Sequence, residues 1–382
     1  MKNLKYIHKP LFFLSVILFG LGLVMVFSAS SITTYMSQQV EPYYYFMRQS
    51  IFLAISLILF LIIINVSTKK RFFDFVFYFM YIVVLFMLIY VLVAGNYKNN
   101  AKSWIDFGFF SLQPSEVAKV VCIVILSCFY FNKFKRVNNK KNNIFMDTFS
   151  NFIVPFIPIF FVAFLIYKQP DLGTCIIFTL LSGFIFLKSP VKLKTKLFSV
   201  SIICLVGICL LLYSNISGKP LINDRQKSRF DYNNPCSNLL TNGNQVCNGY
   251  IAINNGGLTG VGLGKSTQKY LYLPEPYTDF IFAIIVEELG VIVGIMILFI
   301  YILVLVMILT VGKNANTSKG ALICYGVCFY IFLHIIINLF GILGLMPMTG
   351  VPLPFMSYGG TFTICLAVAL SLVQRIHIES RK

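Results

Sequence analysis

Runs of roughly 20 predominantly apolar residues recur along this chain, and they constrain its fold more than any motif does. A run of that length crosses the hydrocarbon core of a bilayer as an α-helix, with every backbone polar group satisfied inside the segment. The template places spans at 11–33, 46–66, 73–94, 115–132, 150–167, 172–188, 197–213, 280–311, 321–343 and 358–376. The expected fold is therefore an all-α polytopic membrane protein with ten transmembrane helices, a single membrane domain over residues 1–382. The fifth and sixth spans are short and divided by Gln169-Pro170-Asp171. The eighth is overlong and is expected to tilt or to extend beyond the lipid. The basic start, Met1 to Lys9, leads into an apolar run with no A-x-A cleavage pattern, which predicts a retained first span. Composition agrees: 58% of residues are hydrophobic and only 12% charged, more apolar surface than a soluble domain of this length can hide.

Lys and Arg orient the spans. With the N-terminus inside, 20 of the 31 basic residues fall on inner segments, among them Lys69-Lys70-Arg71, Lys188, Lys192, Lys194 and Lys196. Of the acids, only Asp74, Asp147 and Glu379 lie inside. Both termini are expected to be cytoplasmic. The net charge of +18 is then mostly positive-inside bias, and no soluble basic module is left to bind nucleic acid. Eight of the ten cysteines sit in apolar runs, where Cys behaves as a small hydrophobe. With three His and no Cys/His cluster at ligand spacing, no metal site is expected. Residues 214–279 form a long outer loop rich in Asn and Gly. Its Cys236 and Cys247 could close a short disulfide loop on an oxidising face.

Charges at membrane depth are expensive and usually functional. Arg48, Glu116, Lys119 and Asp171 all map to the outer half and can converge on one cavity. Bland readings stand beside that one: an i, i+3 ion pair for Glu116 and Lys119, a helix-start cap for Asp171, and snorkelling for Arg48. Of Glu287 and Glu288, at most one is expected to face a shared polar interior, with Glu287 about 12 Å deeper than Asp279 along a straight helix. The run from Gly256 to Ser266 looks phosphate-friendly, but Thr259 stands where a P-loop needs its first Gly, which excludes an ATPase. Pro274 and Pro276 stiffen the approach to Asp279, which is expected at a helix N-terminus on the membrane surface, where it could cap the helix or act as a general base.

Taken together, the motifs resemble the SEDS family (shape, elongation, division and sporulation), which includes FtsW, RodA and SpoVE. The matching segments are Arg48-Gln49, Ser103-Trp104-Ile105, Leu112-Gln113-Pro114-Ser115-Glu116 through Lys119, Gln169 to Thr174, Arg225 to Arg229, Gly262-Leu263-Gly264, Ser266 to Lys269, Leu273-Pro274-Glu275, Thr278-Asp279-Phe280 to Gly290, and Pro354 to Gly360. The resemblance implies a peptidoglycan glycosyltransferase of the bacterial cytoplasmic membrane. Such an enzyme polymerises lipid II into an undecaprenyl-linked glycan strand alongside a class B penicillin-binding protein and other division or elongation membrane proteins. It places the family's essential carboxylate at Asp279 and substrate-binding roles at Arg48, Trp104, Glu116, Lys119 and Asp171. Arg225 and Arg229, with Lys265, Gln268 and Lys269, join that set from the long loop. The 262–269 segment reads more like FtsW or SpoVE than RodA. Tyr277 replaces the commoner His before Thr-Asp.

The chemistry fits. A carboxylate removes the proton of the acceptor hydroxyl, and cations stabilise the departing diphosphate. The diphosphate could recruit a divalent cation, although no dedicated ligand set stands in the sequence. Two rivals are a lipid II flippase or transporter, which needs polar sites reachable from both faces, and a non-catalytic divisome scaffold.

Overall fold

The apolar runs fold as helices. The structure, a computed structural model, describes residues 2–98, 101–108, 110–136, 144–217, 236, 243–270, 272–273 and 276–382. In chain order the helices are α1 (Lys9–Gln38), α2 (Tyr44–Ile63), α3 (Arg71–Ala94), α4 (Pro114–Arg136), α5 (Ile144–Thr148), α6 (Val154–Lys168), α7 (Leu172–Lys188) and α8 (Leu193–Ser217). They continue with α9 (Gly243–Gly256), α10 (Ile281–Lys313), α11 (Ser318–Ile342) and α12 (Gly360–Arg381). A π-turn at Phe149–Ile153 joins α5 to α6. Among the described residues, eight helical stretches are long and apolar enough to cross a membrane, and α7 is a shorter apolar helix. The chain is a multi-pass helical membrane protein.

Two features depart from the sequence expectation. Between α3 and α4 the chain forms a small antiparallel sheet of β1 (Asn96–Lys98), β2 (Ala101–Asp106) and β3 (Ser111–Leu112). The long 214–279 loop is not loop throughout, because α9 occupies its middle.

Burial identifies the centre of the bundle. In α4, α11 and α12, 78%, 72% and 83% of the most apolar window is buried, against 17% in α3 and 22% in α2. The three inner helices also carry a concentration of buried polar side chains, including Glu116, Lys119, His334 and Asn338. Helices surrounded by protein can hold such groups; helices facing lipid cannot.

The overlong eighth span is broken. Gly290 has φ 87° and ψ 164°, which interrupts α10 after Leu289. Uninterrupted, 33 residues would reach about 50 Å; the 23 residues after the break reach about 35 Å, the thickness of one bilayer core with modest tilt. The Gly-rich loop covers the break and bonds with its backbone groups. Val261 N donates to Glu287 O (3.0 Å), Gly262 N to Glu288 O (2.9 Å) and Val291 N to Gly257 O (2.9 Å). A Cβ on Gly290 would lie 2.3 Å from Leu258 O, besides requiring a left-handed backbone. Gly290→Ala is therefore expected to destabilise the protein by at least about 2 kcal/mol, read as a lowered melting temperature in detergent.

Between α11 and α12 the chain turns back into the bundle. Gly22, near the middle of the Lys9–Thr33 span, leaves no room for a Cβ, which would stand 2.1 Å from Phe355 O. Tyr301, on the long part of α10, donates to Pro354 O. Phe355, Met356 and Leu353 are buried. Residues 351–357 thus form a re-entrant segment, tolerated at this depth because protein surrounds it. At the far end of the bundle Lys319 pairs with Asp74, and Glu379 accepts from Thr68 N (2.8 Å) and from Arg375 Nε (3.1 Å), tying the α2–α3 turn to α11 and α12.

Candidate active site

Asp279 lies one residue before the N-cap of α10, which is Phe280, and α10 has no side-chain cap. The carboxylate is therefore not the cap of α10, as a helix-start position suggested. Asp279 is half-buried, and its Oδ1 accepts from Thr278 Oγ1 at 3.0 Å. Its backbone is held from two elements. Asn338 on α11 donates both to Asp279 O (2.8 Å) and to Val351 O (2.9 Å). Ser357 Oγ donates to Thr278 O (2.6 Å), and Tyr358 N donates to Tyr277 O (2.9 Å). Gly350 stands beside the carboxylate: a Cβ there would be 3.9 Å from Asp279 Oδ2.

The re-entrant segment and its flanks connect Asp279 to the other polar positions. A Cβ on Gly173 would meet the Thr349 side chain at 2.7 Å, so the start of α7 packs on the residue next to Gly350. There Asp171 caps α7 through Oδ1 to Thr174 N (3.1 Å), while Oδ2 accepts from Gln113 Nε2 (2.9 Å). Both the cap role and the polar-cluster role thus belong to the same carboxylate. Trp104 is half-buried on β2, whose neighbouring Ser103 donates to Gln169 O at 3.4 Å. On the opposite flank, Arg48 lies over the Tyr44 ring at 4.2 Å, and that ring meets Tyr45 edge-on (5.2 Å between centroids). Tyr45 stacks on Tyr277 (4.4 Å between centroids) and meets Tyr358 edge-on (4.8 Å). An aromatic wall therefore runs from the guanidinium to two residues before Asp279. Neutral aromatic partners leave the Arg48 charge available to an anion.

Glu116 and Lys119 form the expected i, i+3 pair at 2.7 Å, and Lys119 is fully buried. Sequence reading did not anticipate His334. Its Nε2 lies 2.9 Å from Lys119 Nζ, and its Nδ1 lies 3.3 Å from Pro352 O in the re-entrant segment. A lone His in an apolar run gave no signal. The i, i+4 spacing of His334 and Asn338 on one helix face was the clue available.

Glu287 and Glu288 correct an expectation. Both are fully buried, and both bind the 264–269 loop. Glu287 accepts from Ser266 Oγ, Thr267 N (3.1 Å) and Thr267 Oγ1 (2.9 Å). Glu288 pairs with Lys269 at 2.8 Å and accepts from Ser28 on α1 (2.6 Å). Because the helix stops at Gly290, the loop wraps its last turn and meets two faces at once. Lys269 thereby points into a buried pair, and Gln268, 7% exposed, lies beside it, whereas Lys265 is exposed. Arg225 and Arg229 lie outside the described residues. Cys236 and Cys247 are joined by a disulfide at the start of α9. That helix braces the site: Gly249 packs on the Phe280 ring, and Tyr250 donates to Leu343 O (2.8 Å). No group of three or more metal-ligating side chains occurs among the described residues.

Comparison with known proteins matches residues 9–382 to the family described as cell cycle proteins FtsW, RodA and SpoVE. The probable peptidoglycan glycosyltransferase FtsW of Bacillus subtilis (strain 168) is 34% identical, covering 98% of this chain and 91% of its own. Stage V sporulation protein E of the same organism is 33% identical, covering 96% of each. Among solved structures, a chain reported under "Structural coordination of polymerization and crosslinking by a peptidoglycan synthase complex" has a TM-score of 0.76 at 22% identity, covering 98% of this chain and 99% of its own. The rod-shape-determining protein RodA of Thermus thermophilus has a TM-score of 0.67 at 23% identity, covering 98% of both.

Proposed function

This chain belongs to the FtsW, RodA and SpoVE family, and from that membership we propose that it is a peptidoglycan glycosyltransferase. It polymerises lipid II on the outer face of the bacterial cytoplasmic membrane and releases undecaprenyl diphosphate, with Asp279 as general base. The observation that carries the assignment of the base is the placement of Asp279: half-buried, off the cap position of α10, and fixed by bonds to its own carbonyl and that of Thr278. Pre-fixed geometry is what lets a carboxylate take a proton from a bound hydroxyl. Arg48, held over the Tyr44 ring, supplies positive charge for the departing diphosphate. An inverting displacement of this kind needs no covalent enzyme intermediate. The similar synthase complex coordinates polymerization with crosslinking. That pairing supports a crosslinking partner for this chain, which we take to be a class B penicillin-binding protein.

The test is polymerisation of purified lipid II by the purified protein, alone and with each candidate partner, with glycan strands resolved by length. Strands are expected. Passage of lipid II across liposomes without any strand would favour a transporter instead.

A further inference from the structure

The buried Glu116–Lys119 pair is not isolated from Asp279; His334 joins them. Lys119 Nζ carries only donors, so the 2.9 Å contact to His334 Nε2 requires that nitrogen to accept. The ring is then neutral with its proton on Nδ1, which faces Pro352 O at 3.3 Å. The imidazole therefore accepts from an ammonium on one side and donates to a re-entrant carbonyl on the other. Its ring plane is set by stacking on Phe362 (4.6 Å, 23°) and by an edge contact with Tyr330 (4.8 Å). One helical turn further along α11, Asn338 holds Val351 O, the neighbour of Pro352, and Asp279 O. A continuous polar path thus runs Glu116, Lys119, His334, Pro352, Val351, Asn338, Asp279.

We propose that His334 is a positioning residue for the transferase reaction: as a neutral Nδ1–H imidazole it fixes the 350–353 segment against the Lys119–Glu116 pair and so sets the place of Asp279. This rests on the reading of Asp279 as the base. His334 touches no reacting atom; its work is done through the segment that stands beside the carboxylate. The requirement is narrow. The side chain must accept at one end and donate at the other, across a span close to that of an imidazole. A Gln amide offers an acceptor oxygen and a donor nitrogen and satisfies both ends; a Phe keeps the ring and satisfies neither.

The experiment compares His334→Gln, His334→Phe and His334→Asn with the wild-type protein, each as full-length protein in the polymerisation assay beside a melting curve. His334→Gln is expected to keep kcat within about threefold. His334→Phe is expected to lose about ten- to a hundredfold in kcat with little change in KM, the signature of a misplaced reacting group rather than lost substrate binding. Lys119 keeps its Glu116 partner in each variant. His334→Asn retains an amide too short to reach both ends, so its kcat is expected to fall with that of His334→Phe, and it carries the comparison where the Phe variant does not yield monodisperse protein. Equal activity of the Phe and Gln variants, or an Asn variant as active as the Gln variant, overturns the proposal while the wild type still polymerises and Asp279→Asn does not. Loss of the parent reading looks different, because then Asp279→Asn retains activity as well.

Discussion

Asp279→Ala is expected to abolish lipid II polymerisation while leaving a folded, monodisperse protein. A positioned general base contributes about 10²–10⁴-fold, and the other buried carboxylates near the site are already engaged. Asp171 is held as a cap and by Gln113, Glu116 by Lys119, and Glu287 and Glu288 by the 264–269 loop. Folding should survive, because the ties at this position run through backbone atoms. Asn338 bonds the carbonyl of Asp279, and Ser357 that of Thr278. The Thr278 hydroxyl, which loses this acceptor, is partly exposed. The measurement is strand formation beside a melting curve. Full polymerisation by a normally melting Asp279→Ala protein would remove Asp279 from the reaction.

Glu288→Leu is expected to have the largest effect on stability. Lys269 is 1% exposed, and its ammonium is held by Glu288 (2.8 Å) and by Gly264 O (2.7 Å). Removing the carboxylate strands a buried charge, which costs about 3–5 kcal/mol where one partner of a buried pair is lost. Ser28 Oγ, which donates to the same carboxylate, is stranded with it. Removing both charges is a milder change, since apolar replacements of a buried pair are often neutral. Glu288→Leu/Lys269→Met is therefore expected to recover most of the lost melting temperature, a non-additivity that reports direct coupling. If the double variant melts as low as the sum of the two singles, the pair does not act as a unit.

Much of this was legible in the sequence. Apolar length located the spans, because helices in lipid must satisfy their own backbone. The proline-flanked Thr278-Asp279 step marked the catalytic candidate, and the Glu116–Lys119 spacing marked its own ion pair. What escaped was everything that depends on non-local backbone. The break at Gly290 was invisible because a lone Gly within a helical pattern does not by itself end the helix; its cause is a loop some 30 residues earlier in sequence. The re-entrant path of 351–357 hid for the opposite reason: its Pro-rich composition reads as a surface turn, and only the close approach to Gly22 shows its depth. Glu287 and Glu288 were misjudged because helical periodicity assigns neighbours to different faces and cannot foresee a loop that wraps both.

The interruption at Gly290 also bears on how the site answers to its solvent. Lipid bilayers vary in thickness, and a rigid rod spanning them transmits each change to whatever it carries at its end. Here the rod is Val291 to Lys313, and Asp279 precedes the separate segment Ile281 to Leu289, secured to α9, to α11 and to the loop over the break. The loop bonds both sides of Gly290, to the carbonyls of Glu287 and Glu288 and from the amides of Val291 and Ile292, so the two segments meet at an angle fixed by protein. The short segment that follows Asp279 therefore takes its direction from protein contacts and not from the axis of the membrane-spanning rod.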